Sequence, residues 1–123
     1  AYNELKDYDN AINDFNKFIQ LQPDTAQAYN NRGYTYNLLE RYDTAITDFK
    51  KAIELQPKLA NPYRHSGNSY KNKGELEKAI QYYTKAIELN DKYKEAYLDR
   101  AAAYREIGET EKAIADEKTA EKL

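Results

Sequence analysis

Hydrophobic and small residues recur along this chain with a fixed step of 34 positions. The pair Ala-Ile stands at Ala11-Ile12, Ala45-Ile46, Ala79-Ile80 and Ala113-Ile114. Tyr2, Tyr36, Tyr70 and Tyr104 keep the same step, as do Tyr29, Tyr63 and Tyr97. Gly33, Gly67 and Ala101 form a small-residue series, and Phe15, Phe49 and Tyr83 an aromatic one. Within one period the pattern predicts two helices. Tyr29, Gly33 and Tyr36 fall at i, i+4 and i+7, one stripe of a first helix. Ala45, Ile46, Phe49, Ala52 and Ile53 make a broader apolar face on a second. Glu40-Arg41-Tyr42-Asp43 breaks the phase between them and predicts a turn. Asp43, like Asp9, Glu77 and Glu111 in the same register, suits a helix start as cap or first-turn anion.

Small residues at Gly33, Ala45 and Ala52 let the two helices approach closely, while Tyr36 and Phe49 fill the space between pairs. A single pair cannot bury both its faces, so neighbours must stack. Aligned on Ala-Ile, complete repeats span 26–59 and 60–93, with a nearly complete one at 94–123. Segment 1–25 keeps only Ala1 to Leu5 of its first helix, and the sequence, which has no initiator Met, reads as a fragment. In the last repeat Glu117 stands where Phe49 and Tyr83 stand, and Glu121 replaces Ile53 and Ile87. A covered helix would carry those charges at high cost, so 94–123 reads as a terminal cap. At the other end Ile12, Phe15, Phe18 and Ile19 would lack a covering helix. The expectation is an exposed apolar surface that drives self-association into a homo-oligomer.

Composition narrows the function. The chain of 123 residues is one domain by length, with net charge −2 and no Cys. A nucleic-acid partner is not expected, because no strong basic footprint exists. The most basic segment, 60–93, carries six Lys/Arg against four Asp/Glu. No apolar run reaches the length of a membrane span. Without Cys, neither disulfides nor thiolate metal sites are possible, and the compartment stays open.

Candidate chemistry is sparse. His65 is the only imidazole; Ser66 and Ser69 are the only serines. His65, Ser69 and Asp99 can be drawn as a triad, but a triad needs close hydrogen-bond reach and an oxyanion hole. Metal sites, phosphate loops and cofactors are not expected. Of the thirteen Tyr, ten follow the packing pattern, and Tyr34, Tyr82 and Tyr93 have no packing role in it.

The offsets aromatic-x3-Gly-x2-Tyr, then Ala-x3-Phe-x2-Ala and Pro, seen in Tyr29-Gly33-Tyr36 and Ala45-Phe49-Ala52-Pro57, resemble the tetratricopeptide repeat across the whole chain. The resemblance implies an all-α fold, an αα-superhelix (solenoid) of antiparallel helix pairs, and a protein–protein interaction scaffold rather than an enzyme. It also implies a concave groove, lined by first helices, that receives a peptide or a partner helix. The groove positions carried onto this chain are Asn30, Asn31, Tyr34 and Asn37, then Arg64, His65, Asn68 and Lys71, then Asp99 and Arg105. Asn amides there can pair with any peptide backbone, Arg64 can fork onto a carboxylate, and Tyr34 offers an anchor. The carboxylate clamp of chaperone-binding members does not fit: Glu95 and Asp99 stand where cations are required. The alternative role is a structural module whose end pairs stack between chains.

Overall fold

The computed structural model describes residues 2–123, with side chains from Asp7 onward. Seven helices follow one another: α1 (Tyr2–Leu21), α2 (Ala26–Leu38), α3 (Tyr42–Leu55), α4 (Ala60–Asn72), α5 (Leu76–Leu89), α6 (Lys94–Glu106) and α7 (Thr110–Glu121). No strand occurs among the described residues. The chain forms two compact units, Ala1–Pro57 and Lys58–Leu123. In the first, α2 packs against both α1 and α3; in the second, α4 to α7 pack each on the next, and α4 also reaches α6.

The small-residue positions make the pairs close. Ala45, Phe49 and Ala52 of α3 are fully buried, as are Ala79, Tyr83 and Ala86 of α5. A Cβ on Gly33 would lie 2.7 Å from the Phe49 ring, and one on Gly67 would lie 2.5 Å from the Tyr83 ring. Each aromatic thus rests on bare helix backbone. The tyrosine series expected in the core is less buried than that: Tyr29, Tyr36, Tyr63, Tyr97 and Tyr104 are half-buried and, among the described side chains, which do not include Tyr2, only Tyr70 is buried. Their hydroxyl ends reach outward from a thin two-helix layer.

The turns share one geometry. Glu40, Gly74 and Gly108, in equivalent register, have φ of 61°, 87° and 85°. The amides of Arg41, Glu75 and Glu109 close back onto the carbonyls of Tyr36, Tyr70 and Tyr104 at 2.8–2.9 Å, a Schellman closure. With the N-caps at Arg41, Glu75 and Glu109, the acids Asp43, Glu77 and Glu111 lie inside the helices, in their first turns. They act as anions on the helix dipole.

The front of the chain departs from the expected pattern. Lys6 has the register of Glu40, yet α1 runs unbroken through it, and Asp9 lies inside the helix rather than at its start. A left-handed lysine costs about 1–2 kcal/mol. In the later repeats the packing of two helices offsets such a turn, whereas continuing the helix through Lys6 keeps its hydrogen bonds. Ile12, expected at an exposed surface, is buried, because α2 already covers that side of α1. Phe15 and Ile19 are half-buried and Phe18 is 44% exposed.

Candidate functional site

The first helices present several of the residues expected to line a groove, and withhold others. On α2, Asn31 is exposed and its amide oxygen accepts from Gln27 at 2.9 Å. Tyr34 and Leu38 are 47% and 44% exposed. Asn31, Tyr34 and Leu38 stand at i, i+3 and i+7, one stripe turned away from Gly33 and its Phe49 contact. Asn30 lies off that stripe and is buried; Asn37 is half-buried.

The polar residues of the second unit are largely spent on the fold. Arg64 Nε donates to Asp99 Oδ2 at 2.7 Å, and its guanidinium lies 5.7 Å from the Tyr93 ring centre. Arg64 therefore holds α4 against α6 rather than standing open for a ligand carboxylate. Burial is the largest single influence and works against its charge, but the hydrogen bond and charge of Asp99 together with Tyr93 outweigh it, so its pKa is raised. Burial, with help from the Arg64 charge, lowers the His65 pKa to about 4, leaving a neutral imidazole at pH 7. Asn68 accepts from the Tyr83 hydroxyl at 2.5 Å, and burial raises that phenol's pKa. Lys71 is half-buried. Arg105 forks onto Glu117 at 2.6 and 3.0 Å on the surface, an ion pair that raises the arginine's pKa and lowers the carboxylate's. The surface left on α6 includes Leu98, 43% exposed.

Two of the three tyrosines that lacked a packing role have one. Tyr82 stacks on Tyr70 with centroids 5.1 Å apart, and its ring stands 6.4 Å from that of Tyr63. Tyr93 donates to Asn61 at 2.8 Å beneath the Arg64 guanidinium. Tyr34 stays on the surface. The drawn triad dissolves: Ser69 Oγ donates to the His65 backbone carbonyl at 3.2 Å, and Asp99 is engaged by Arg64. Among the described residues no group of three His, Asp or Glu is arranged to hold a metal ion, and no helix is long and apolar enough to cross a membrane.

The sequence reading missed a pair of arginine clasps. Arg32 forks onto Asp48 at 2.7 and 2.8 Å while Nη1 donates to Asn16 at 2.8 Å, tying α1, α2 and α3. Arg100 does the same to Asp116 at 2.6 and 2.8 Å and to Thr84 at 3.1 Å, tying α5, α6 and α7. The two arginines are two periods apart, and so are the two aspartates. A scan of the 34-residue step for charged residues in alternate repeats would have found them. Ser66 and Tyr82 occupy the intervening register.

An apolar hollow of about 340 Å³ opens in the first unit between α1 and α2, lined by Asp14, Phe15, Phe18, Thr25, Gln27, Ala28 and Asn31.

Helix pairs repeated every 34 residues, with an aromatic resting on a helical glycine, define a class of all-α repeat proteins. The chain belongs to the tetratricopeptide repeat family: its repeat model matches residues 26–59 and 60–93, and related repeat models match 1–39 and 82–115. Among solved structures it is similar to a crystal structure of MamA, with a TM-score of 0.86 and 30% identity, covering 94% of this chain and 67% of that one. A second MamA crystal structure gives 0.83 and 30%, covering 92% and 62%. The fold is shared with MamA 41-end from Desulfovibrio magneticus RS-1, at 0.86 and 22%, covering 97% and 67%. The chain thus spans about two thirds of the length of these proteins. No curated protein matches the sequence. Family and neighbours together define a protein-interaction or assembly scaffold.

Proposed function

We propose that this domain is a non-enzymatic scaffold that binds a peptide or helix on its first-helix faces, with the α2 stripe as the principal contact. The observation that carries the reading is the pairing of Tyr34 and Leu38, both nearly half exposed, beside the exposed amide of Asn31. An apolar pair that folding leaves in water, next to a group that can both donate and accept, suits an amphipathic peptide. Leu98 on α6 is the corresponding apolar contact of the second unit. Arg64, His65 and Asn68 shape and stiffen their helix and do not contact the ligand. The pairing of Arg64 with Asp99 removes the reason to favour an acidic ligand, so apolar side chains set specificity.

A displayed peptide library selected against the domain tests this. Selected peptides should lose at least tenfold in affinity on Tyr34→Ala or Leu38→Ser, in keeping with about 1.4 kcal/mol or more for an interface anchor. Affinity should change little between low and high salt. Peptides whose binding survives both substitutions would place the contact elsewhere.

A further inference from the structure

The middle repeat carries a surface that its neighbours lack. Lys78, Gln81, Tyr82 and Lys85 stand at i, i+3, i+4 and i+7 on α5, one stripe of the helix. The same register holds Thr44, Thr47, Asp48 and Lys51 on α3, and Lys112, Ala115, Asp116 and Thr119 on α7. On α3 and α7 the aspartate is buried and closed by an arginine fork. On α5 that ion pair is replaced by an aromatic cluster. Tyr82 stacks on Tyr70 at 5.1 Å between centroids, and its ring is tilted 35° to that of Tyr63. Tyr63, Gln81, Tyr82 and Lys85 line a hollow of about 290 Å³ within the second unit.

The charge beside this hollow is cationic. Lys78 is exposed and lies 5.1 Å from the Tyr70 ring centre. Lys85 meets Glu88 at 3.9 Å on the surface, a contact worth little and readily exchanged for another carboxylate. Glu77 is one residue from Lys78, so helix phase turns it off the stripe. We propose that the α5 stripe is a docking site for an acidic peptide segment of a partner protein, which places one aromatic side chain in the hollow. The incoming ring packs against Tyr63 and Tyr82, as Tyr82 packs against Tyr70. Carboxylates on either side of it meet Lys78 and Lys85, about 10 Å apart along the helix axis. The Gln81 amide pairs with the peptide backbone. A hollow of this size suits one side chain rather than a whole helix. The site lies on a second helix, so it stands apart from the Tyr34–Leu38 stripe and holds or fails without it.

The probe is an unlabelled peptide with one phenylalanine set among glutamates, titrated into the whole 123-residue chain by isothermal calorimetry. Saturable binding is expected, weakening as salt is added. Alanine in place of the peptide's phenylalanine should cost about tenfold in affinity or more. Lys85→Gln should weaken binding about two- to fivefold with far-UV circular dichroism unchanged, and Tyr34→Ala should leave it intact. Equal binding of the phenylalanine and alanine peptides would overturn the proposal, since charge alone would then account for it. So would absence of saturation, or loss of binding on Tyr34→Ala. A concentration-dependent dimer, seen by sedimentation without peptide and abolished by Lys85→Gln, would also overturn it, because a second copy would then occupy the stripe.

Discussion

Replacing Ser66 by Arg and Tyr82 by Asp together should restore in the middle repeat the clasp that its neighbours carry. Arg100 lies over the rings of Tyr97 and Tyr104, with 5.9 and 5.6 Å to the centroids. Tyr63 and Tyr70 are the equivalents of those rings, and Tyr82 stacks between them in the guanidinium's stead. Below it, the Ser66 hydroxyl is buried with no hydrogen-bond partner. One repeat design thus puts bulk on the first helix, and the other puts it on the second. Ser66→Arg alone forces a long cation beneath the Tyr82 ring with no carboxylate to meet it; overpacking of that kind costs about 1–3 kcal/mol. Tyr82→Asp alone loses the stacked ring, about 0.5–1.5 kcal/mol beyond its buried area, and opens a void under the new carboxylate. Made together, the new side chains can form the bidentate pair seen at Arg32–Asp48. The double variant should therefore be more stable than the sum of the singles by about 1.5–3 kcal/mol, within the range of directly coupled residues. Urea unfolding of the four proteins, followed by far-UV circular dichroism with m-values compared, completes the cycle. Additivity within about 0.5 kcal/mol would refute the claim that Tyr82 occupies the place of a guanidinium.

Other outcomes follow from the same contacts. Gly67→Ala should destabilise the fold by about 1–3 kcal/mol despite alanine's better helix propensity, because the added methyl meets the Tyr83 ring; the unfolding midpoint checks this. Glu40→Gly should stabilise by about 0.5–1 kcal/mol in the same measurement, since Glu40 alone takes the left-handed turn position without being glycine. Arg100→Ala leaves the buried Asp116 carboxylate unpaired and should cost about 3 kcal/mol, whereas Arg105→Ala, on the surface, should leave the midpoint unchanged. His65 binds its proton only near pH 4 when folded, against 6.5 when unfolded. Its contribution is intact above pH 6.5 and is lost as pH falls toward 4, by up to about 3 kcal/mol. His65→Gln should flatten the fall in unfolding midpoint between pH 6.5 and 4.5 relative to the parent.

The helix pairs were legible because their cause is periodic. The glycines of α2 and α4 and the aromatics of α3 and α5 recur at one spacing, and each ring rests on bare helix backbone. The continuous α1 was not legible by that route. Repetition predicts a turn at Lys6 as at Glu40, and register does not show that the helix instead continues through it. Exposure follows helix phase at Asn31 and Tyr34, which lie off the core stripe and face water. Phase does not foretell the engagement of Arg64, Asn68 and Asp99, whose partners stand 15 or 35 residues away on other helices. Helix phase can say that such a residue leaves its own core stripe. It cannot say whether the neighbouring helix or water receives it.

That distinction bears on what the chain can bind. Residues of the first helices that leave the core stripe fall into two populations. Arg32, Arg64 and Arg100 are each fixed by a carboxylate on another helix and lie over a tyrosine ring. Their charges are neutralised before any ligand arrives, and displacing one would cost packing between helices. Asn31, Tyr34, Leu38 and Leu98 are exposed in the folded state. A ligand that meets the second population covers surface that water already reaches. Recognition at the first helices should therefore rest on apolar and amide contacts, with the arginines setting the distances between the helices that present them.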